Sequence, residues 1–282
     1  MNSSHALDTS IDRWFWEDLG EGDHTTFSTI PSDANGSASL LVKETGILAG
    51  VTVARRIFQH FDPDIKFIAL MEDGSPISPG DMVFRVNGKI HTLLQCERLI
   101  LNVMQRMSGI ATSTNAYVRL IDGTGARILD TRKTTPGFRF LEKEAVRLGG
   151  GVNHRFGLFD MIMIKDNHID FAGGIEQAIH ASRAYMKLKN LDLAMVVEAR
   201  SLEDVKTILI VGGVKRILLD NFSVEQTREA VRLIDHQVET ESSGGITLDT
   251  IRSYAECGVD YISVGALTHQ ISSLDLSLKA DF

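Results

Sequence analysis

The chain has 282 residues, enough for one large domain or two modest ones with a sizeable buried core. Hydrophobic residues make up 43% and charged residues 23%, an ordinary balance for a soluble globular protein. The formal charge of −8 argues against a general nucleic-acid or anionic-membrane surface, so any basic site must be local.

The first residues, "MNSSHALDTS", lack the basic start and apolar core of a signal peptide. No apolar run approaches the roughly 20 residues that span a bilayer. Cys96 and Cys257 belong to no CxxC pair or Cys/His cluster and read as buried small hydrophobes in a reducing compartment. A cytoplasmic protein is expected.

In chain order, "DTSIDRWFWEDLG" predicts a helix capped at Asp8, Thr9 or Ser10 and stopped by glycine. "ASLLVKETGILAG" predicts two short strands around a turn, and "VTVARRIFQHF" a helix. "DIKFIALMEDG" and "DMVFRVNGKI" predict further strands, the second carrying an Asn-Gly hairpin signal. "TLLQCERLILNVMQRMSGIATSTNAYVRLI" predicts one long amphipathic helix or two in tandem, bridging two domains. The expected division is 1–125 and 126–282, with the final strand able to return to the first domain.

From residue 127 the pattern alternates. Short apolar runs at "RILD", "MIMIK", "AMVVEA", "RILLDN", a weaker "VETESSGG" and "YISVG" are separated by helical stretches. Those helices are "FRFLEKEAVRLGG", "FAGGIEQAIHASRAYMK", "LEDVKTILIVGG", "VEQTREAVRLI" and "LDTIRSYAECG". Alternating strands and helices predict a parallel sheet covered by helices, either a barrel or an open doubly wound sheet. Each run is followed by a polar or backbone-binding group: Arg132 and Lys133, Lys165, Glu198, Asp220, Ser243 and Gly244, then Gly265. A barrel brings such ends to one mouth, which favours it over an open sheet.

The segment between Arg132 and Lys165 concentrates cations in an acidic chain. Lys143 and Arg147 in "EKEAVR" fit ion pairs along a helix face, and Arg139 stands where a helix begins. Arg132, Lys133, Arg155 and Lys165 lie at strand ends or in a Gly-rich turn, where an unpartnered charge is costly and a bound anion would supply the partner. His154, beside them, reads as a neutral hydrogen-bond donor to an anion. Glu198 and Asp220 either balance this charge or hold Mg²⁺ or ribose hydroxyls and stabilise a developing positive charge. The glycines after the last two strands fit a phosphate cradle. These readings together describe an α/β barrel enzyme for a polyanionic ligand, a sugar phosphate in the first instance.

"ERLILNVMQRMSGIAT", "DTRKTTPGFR", "GGGVNHRFGLFDMIMIKDNHI", "LLDN", "ESSGGIT" and "SVGALTH" closely resemble the quinolinate phosphoribosyltransferase family, in order and over almost the whole chain. His24 in "GDHTT" and Ser242 in "ESSGG" depart from the residues usual there. The resemblance implies an N-terminal α/β sandwich, a C-terminal incomplete TIM-like α/β barrel, and a homodimer. It implies that Arg132, Lys133, His154, Arg155 and Lys165 bind the carboxylates of quinolinate and the phosphates, with Arg98 supplied across the dimer. Glu198 and Asp220 would lie near the ribose and Mg²⁺, and Ser243, Gly244 and Gly265 would cradle the 5-phosphate. Lys133, Lys165, Glu198 and Asp220 would be the catalytic groups. The implied reaction joins quinolinate to 5-phosphoribosyl 1-diphosphate. Two alternatives share the fold: a related phosphoribosyltransferase-like protein with another ligand, and an anion-binding module without turnover.

Overall fold

The computed structural model describes residues 3–281. The first part contains α1 (Ser3–Leu19), α2 (His24–Thr29), β1 (Asn35–Val42), β2 (Gly46–Ile47), α3 (Val51–Phe61), β3 (Lys66–Ala69), β4 (Pro76–Ile77) and β5 (Met82–Lys89). A single 31-residue helix, α4 (Ile90–Leu120), follows. Then come β6 (Arg127–Leu129), α5 (Arg139–Leu148), β7 (Ile162–Ile164), α6 (Asp166–Ala172), α7 (Ile175–Lys189), β8 (Met195–Ala199), α8 (Leu202–Val211) and β9 (Arg216–Asp220). The chain ends with α9 (Val224–Ile234), β10 (Glu239–Ser243), α10 (Ile251–Ala255), β11 (Tyr261–Ser263), α11 (Ala266–His269) and β12 (Leu276–Ala280).

These elements form two compact units. One takes in the described residues up to Ser113, Thr135–Gly149 and those from Gln270 on; the other takes in Thr114–Thr134 and Gly150–His269. The boundary falls inside α4.

The first unit holds an antiparallel sheet in the order β12-β1-β5-β3 and a small β2-β4 ribbon. The Asn87-Gly88 signal does not make a hairpin. β5 runs straight through it, Gly88 opposite Gly36 and Asn87 opposite Ser37, because pairing with β1 supplies the hydrogen bonds a turn would forfeit. α3 starts at Gly50, whose φ of 104° suits glycine, and Asp73 caps it by accepting the N–H groups of Gly50, Val51 and Thr52 at 2.6, 2.8 and 3.1 Å. α5 is tied to α4 by Glu142, fully buried, which accepts from Arg106 Nε and Nη2 at 2.9 and 2.6 Å and from the Thr135 N–H at 3.0 Å. Of the two cations expected to form ion pairs along α5, Arg147 pairs with Glu144 in solvent, while Lys143 is buried.

The second unit holds a six-stranded parallel sheet in the order β6-β11-β10-β9-β8-β7. Strands β7 to β11 advance one neighbour at a time and β11 returns to β6, the circular order of a barrel. A doubly wound sheet would instead reverse its order at a switch point. Among the described residues only the β6–β7 seam is unpaired, with one bridge from Leu129 to Val152, so the barrel is incomplete. The reason lies in the connection. The chain between β6 and β7 gives Thr135–Gly149, with α5, to the first unit. The predicted helical stretch at 171–187 is divided into α6 and α7, because Gly173 and Gly174 take φ of 86° and 138°.

The two faces of this sheet differ. Ile164, Met195, Val197, Ala199, Ile217 and Leu219 pack with Ile179, Val205, Ile208, Ala230 and Ile234 of α7, α8 and α9 in one apolar core. The alternate positions form the inner face. The register aligns Glu198, Leu218, Glu241, Tyr261 and Arg127 in one row, with Arg216 and Glu239 one pleat below and Asp220 and Ser243 one above. On that face Arg216 donates to Glu241 at 2.8 Å and to Glu239 at 3.0 and 3.1 Å, and lies 3.8 Å from the centroid of Tyr261. Burial pushes the Glu241 carboxyl upward, but hydrogen bonds from His154 and Arg216 and the charge of the guanidinium outweigh it and hold the group below its ordinary value.

Two outcomes follow from these contacts. A Cβ at Gly109, on α4, would collide with the backbone carbonyl of Ser272, so Gly109→Ala lowers stability by about 1–3 kcal/mol in urea unfolding. Because the folded pKa of Glu241 lies below the unfolded one, its contribution is complete above the unfolded value and is lost as pH falls through the folded one. The melting temperature should therefore drop as pH is lowered below about 4.3, and Glu241→Gln should flatten part of that acid limb.

Candidate active site

Because the six strands are parallel, their C-terminal ends share one edge of the second unit, and there the sequence places its functional residues. β6 leads into Asp130, Thr131, Arg132 and Lys133. Asp130, fully buried, accepts the His154 N–H at 2.7 Å, anchoring the turn that carries His154 and Arg155. Arg132 and Lys133 are exposed just beyond it. The Lys133 carbonyl accepts from Thr268 of α11 at 2.7 Å, and a Cβ at Gly265 would come within 3.0 Å of the Lys133 side chain. The ends of β6 and β11 are thus held together, and glycine at 265 leaves the lysine room.

Arg155 is half-buried and donates to the Met161 carbonyl at 3.1 Å. Burial first, and the like charge of Arg132 second, push its pKa down; only Asp160 opposes them. Asp160 itself accepts the N–H groups of Phe156 and Gly157 at 2.7 and 2.9 Å, which shapes the loop leading to β7.

Lys165 follows β7 and Glu198 sits on β8. Lys165 Nζ lies 3.3 Å from Glu198 Oε2, and the Asp166 N–H donates to Oε1 at 3.3 Å. Glu198 is buried while the Lys165 side chain is about half exposed, so the lysine extends from a covered acid toward solvent. Asp220 ends β9, one pleat above the Glu198 row. It accepts from Ser243 Oγ at 2.7 Å and from Asn221 Nδ2 at 2.8 Å. The Ser243 hydroxyl is therefore committed to Asp220, and a cradle here would rest on backbone. Gly244 has φ of 98°, and a Cβ on it would meet the Asn221 backbone N at 3.0 Å and the Asn221 side chain closer still.

His154 is buried with both ring nitrogens engaged inside the protein. Nδ1 accepts the Arg155 N–H at 2.7 Å, and Nε2 lies 3.2 Å from Glu241 Oε2. The anion it serves here is a carboxylate of its own fold. Arg98 is exposed on α4 in the first unit and is not among the groups this edge assembles. Arg216, Glu239 and Glu241 were not singled out from the sequence. Their signal is the period-2 charge pattern inside strands, "RILLD" beside "ETESS", which resembles weak strand propensity when read one run at a time.

Among the described residues no cluster of three or more His, Cys, Asp or Glu could cage a metal. Glu198 and Asp220, on adjacent strands, are hard oxygen donors of the class Mg²⁺ takes, an ion commonly held by one or two carboxylates together with water and substrate phosphates. A shallow cavity lined by Lys215, His236, Val238, Glu239 and Asp260 lies at the strand starts, the opposite end from these groups. No helix among the described residues is long and apolar enough to cross a membrane.

The family model for the quinolinate phosphoribosyl transferase N-terminal domain matches residues 23–108, and that for the C-terminal domain matches residues 110–279. The chain is 46% identical over 280 residues to a chloroplastic carboxylating nicotinate-nucleotide pyrophosphorylase of Arabidopsis thaliana, covering 94% of this chain and 80% of that protein. It is 40% identical over 269 residues to a probable carboxylating nicotinate-nucleotide pyrophosphorylase of Bacillus subtilis, covering 95% and 91%. The crystal structure of NadC from Streptococcus pyogenes superposes with a TM-score of 0.92 at 40% identity, covering 98% of this chain and 97% of that one. With both domains matched and the match running nearly end to end, the chain belongs to the quinolinate phosphoribosyltransferase family.

Proposed function

We propose that the protein joins quinolinate to 5-phosphoribosyl 1-diphosphate, releasing diphosphate and CO₂ to give nicotinate mononucleotide, a step of NAD biosynthesis. The observation that carries this reading is Arg155, half-buried beside the like charge of Arg132 at a strand-end edge that also bears Lys133 and Lys165. A half-buried cation held among exposed ones of like charge calls for a multiply charged anion, and guanidinium forks suit carboxylate and phosphate equally.

In this reading Arg132, Arg155 and Lys165 hold the two carboxylates of quinolinate, with His154 fixing the turn that bears Arg155. Lys133 meets the diphosphate, and the backbone at Ser243, Gly244 and Gly265 cradles the 5-phosphate. The pyridine nitrogen bonds to the ribose C1 as the bond to diphosphate breaks. Glu198 and Asp220 face the positive charge that develops on the ribose and stabilise it. The carboxylate beside the new pyridinium then departs as CO₂. Its bonding electrons remain on the ring carbon next to the cationic nitrogen, and that carbon takes up a proton. No general base is required for the decarboxylation; the cations orient the substrate and neutralise its charge. Glu198 and Asp220 would hold Mg²⁺, which when bound offsets the charge of the departing diphosphate. The proposed assembly is a homodimer in which Arg98 reaches the partner subunit's strand-end edge. The cytoplasm is the proposed compartment, in keeping with two buried free cysteines.

Purified protein supplied with quinolinate, 5-phosphoribosyl 1-diphosphate and Mg²⁺ should form nicotinate mononucleotide and CO₂, while nicotinate in place of quinolinate yields nothing. Silence with both substrates, from folded protein, would favour the anion-binding alternative. Chelation with EDTA should stop turnover and added Mg²⁺ restore it. Lys165→Ala should lower kcat/KM by at least about 100-fold with an unchanged circular dichroism spectrum, since Glu198 keeps the Asp166 N–H and the lysine is half in solvent. An unchanged rate would remove Lys165 from the site.

A further inference from the structure

Glu241 lies mid-strand on the inner face of the sheet, below the strand-end edge, and no part of the proposed chemistry uses it. Its carboxylate is fully buried, yet its bonds are selective. Oε2 takes both the Arg216 Nη1 donor at 2.8 Å and His154 Nε2 at 3.2 Å, while Oε1 is buried with no hydrogen-bond partner among the described residues. Arg216 is itself immobilised by Glu239 and by the face of Tyr261, so the acceptor aimed at His154 is rigid and its charge is compensated.

The opposite side of the imidazole favours the same proton position. The Arg155 backbone N–H points at Nδ1 from 2.7 Å, and an amide N–H can only donate. Nδ1 must therefore present a lone pair, and the ring proton resides on Nε2, directed at Glu241. In the other tautomer two donors would face each other at Nδ1, and a lone pair would face a carboxylate at Nε2. Both bonds would be lost together.

We propose that Glu241 is a positioning residue for the reaction proposed above, on which this inference rests. It holds His154 in the Nε2–H tautomer and, through Nδ1, fixes the backbone from which the Arg155 guanidinium reaches the edge. Asp130, on the His154 N–H at 2.7 Å, secures the same turn from behind. Glu241 touches no substrate in this scheme; its effect passes through one ring to one arginine.

The test uses the full chain labelled with ¹⁵N-histidine. Two-bond ¹H–¹⁵N correlation separates protonated from unprotonated ring nitrogens, and His154 is identified by the signal missing in His154→Gln. The wild type should show Nδ1 unprotonated and Nε2 protonated. Glu241→Gln can keep its carbonyl oxygen toward His154 and Arg216 and place its amide where Oε1 lies, so it should retain that pattern and most of kcat. Glu241→Leu removes the acceptor, so it should give a tautomer mixture and a kcat lower by about 100-fold, with a much smaller change in KM. A proton on Nδ1 in the wild type overturns the proposal, as does a folded Glu241→Leu variant with wild-type kcat. Should Glu241→Leu fail to fold, Glu241→Gln decides: the wild-type ring pattern supports the proposal and a mixture overturns it. A wild type that makes no nicotinate mononucleotide, yet shows the pattern in both proteins, would leave the ring lock standing and refute the functional reading alone.

Discussion

Arg216 and Glu241 form a 2.8 Å ion pair inside the second unit, and the inner face of its sheet is organised around that pair. Leaving either charge buried without the other would cost about 3–5 kcal/mol, so the two strands that carry them are locked in register as firmly as by their ladder. From the pair, Glu239 extends toward the strand starts, Tyr261 lies level with Glu241, and His154 and Asp130 reach toward the strand ends. A barrel filled with valine and leucine would pack well, but it could offer no hydrogen bond to a turn above it. The polar filling lets a residue in the middle of the sheet determine the protonation geometry of a residue at its rim.

The unpaired seam between β6 and β7 bears on the same edge. The 32 residues from Asp130 to Met161 carry Arg132, Lys133, His154 and Arg155, and they also donate α5 to the first unit. A short crossover would have allowed β6 to pair with β7, but would have had no room for two cation-bearing turns flanking one gap. The turns at this seam are held by side chains instead of a ladder: Asp130 on His154, Asp160 on the loop beyond, Thr268 on Lys133. Where a strand pair is missing, buried acids and hydroxyls take over the task of holding backbone.

Much of this was legible in the sequence. The alternation from residue 127 announced a parallel α/β unit, and Arg132, Lys133, Lys165, Glu198 and Asp220 could be picked out because each directly follows or closes an apolar run. What stayed hidden depends on pairs distant in sequence. Arg216 and Glu241 lie 25 residues apart and become meaningful only when β9 and β10 are laid side by side. The Asn87-Gly88 signal misled because a local turn preference of a few tenths of a kcal/mol yields to a full strand pairing. The burial of Lys143 was not legible because helix spacing reports which residues share a face and not which face is covered. The commitment of the Ser243 hydroxyl to Asp220 is likewise a matter of strand register, invisible along a single chain.

The two faces of the sheet also separate what substitutions can do. On the outer face Val197, Ile217 and Leu219 lie in an apolar core with the helices, so shortening any of them opens a cavity and costs about 1–5 kcal/mol of stability without moving a charged group. At the strand ends Lys165 and Arg132 are solvated enough that their loss should leave the fold intact and remove only charge from the site. The inner face obeys neither rule. Glu198 is buried like a core residue yet bonds a half-exposed lysine, and Glu241 is buried more deeply yet bonds the ring that steadies Arg155. For such residues stability and chemistry share the same hydrogen bonds, so a change in rate acquires meaning only when geometry is measured beside it.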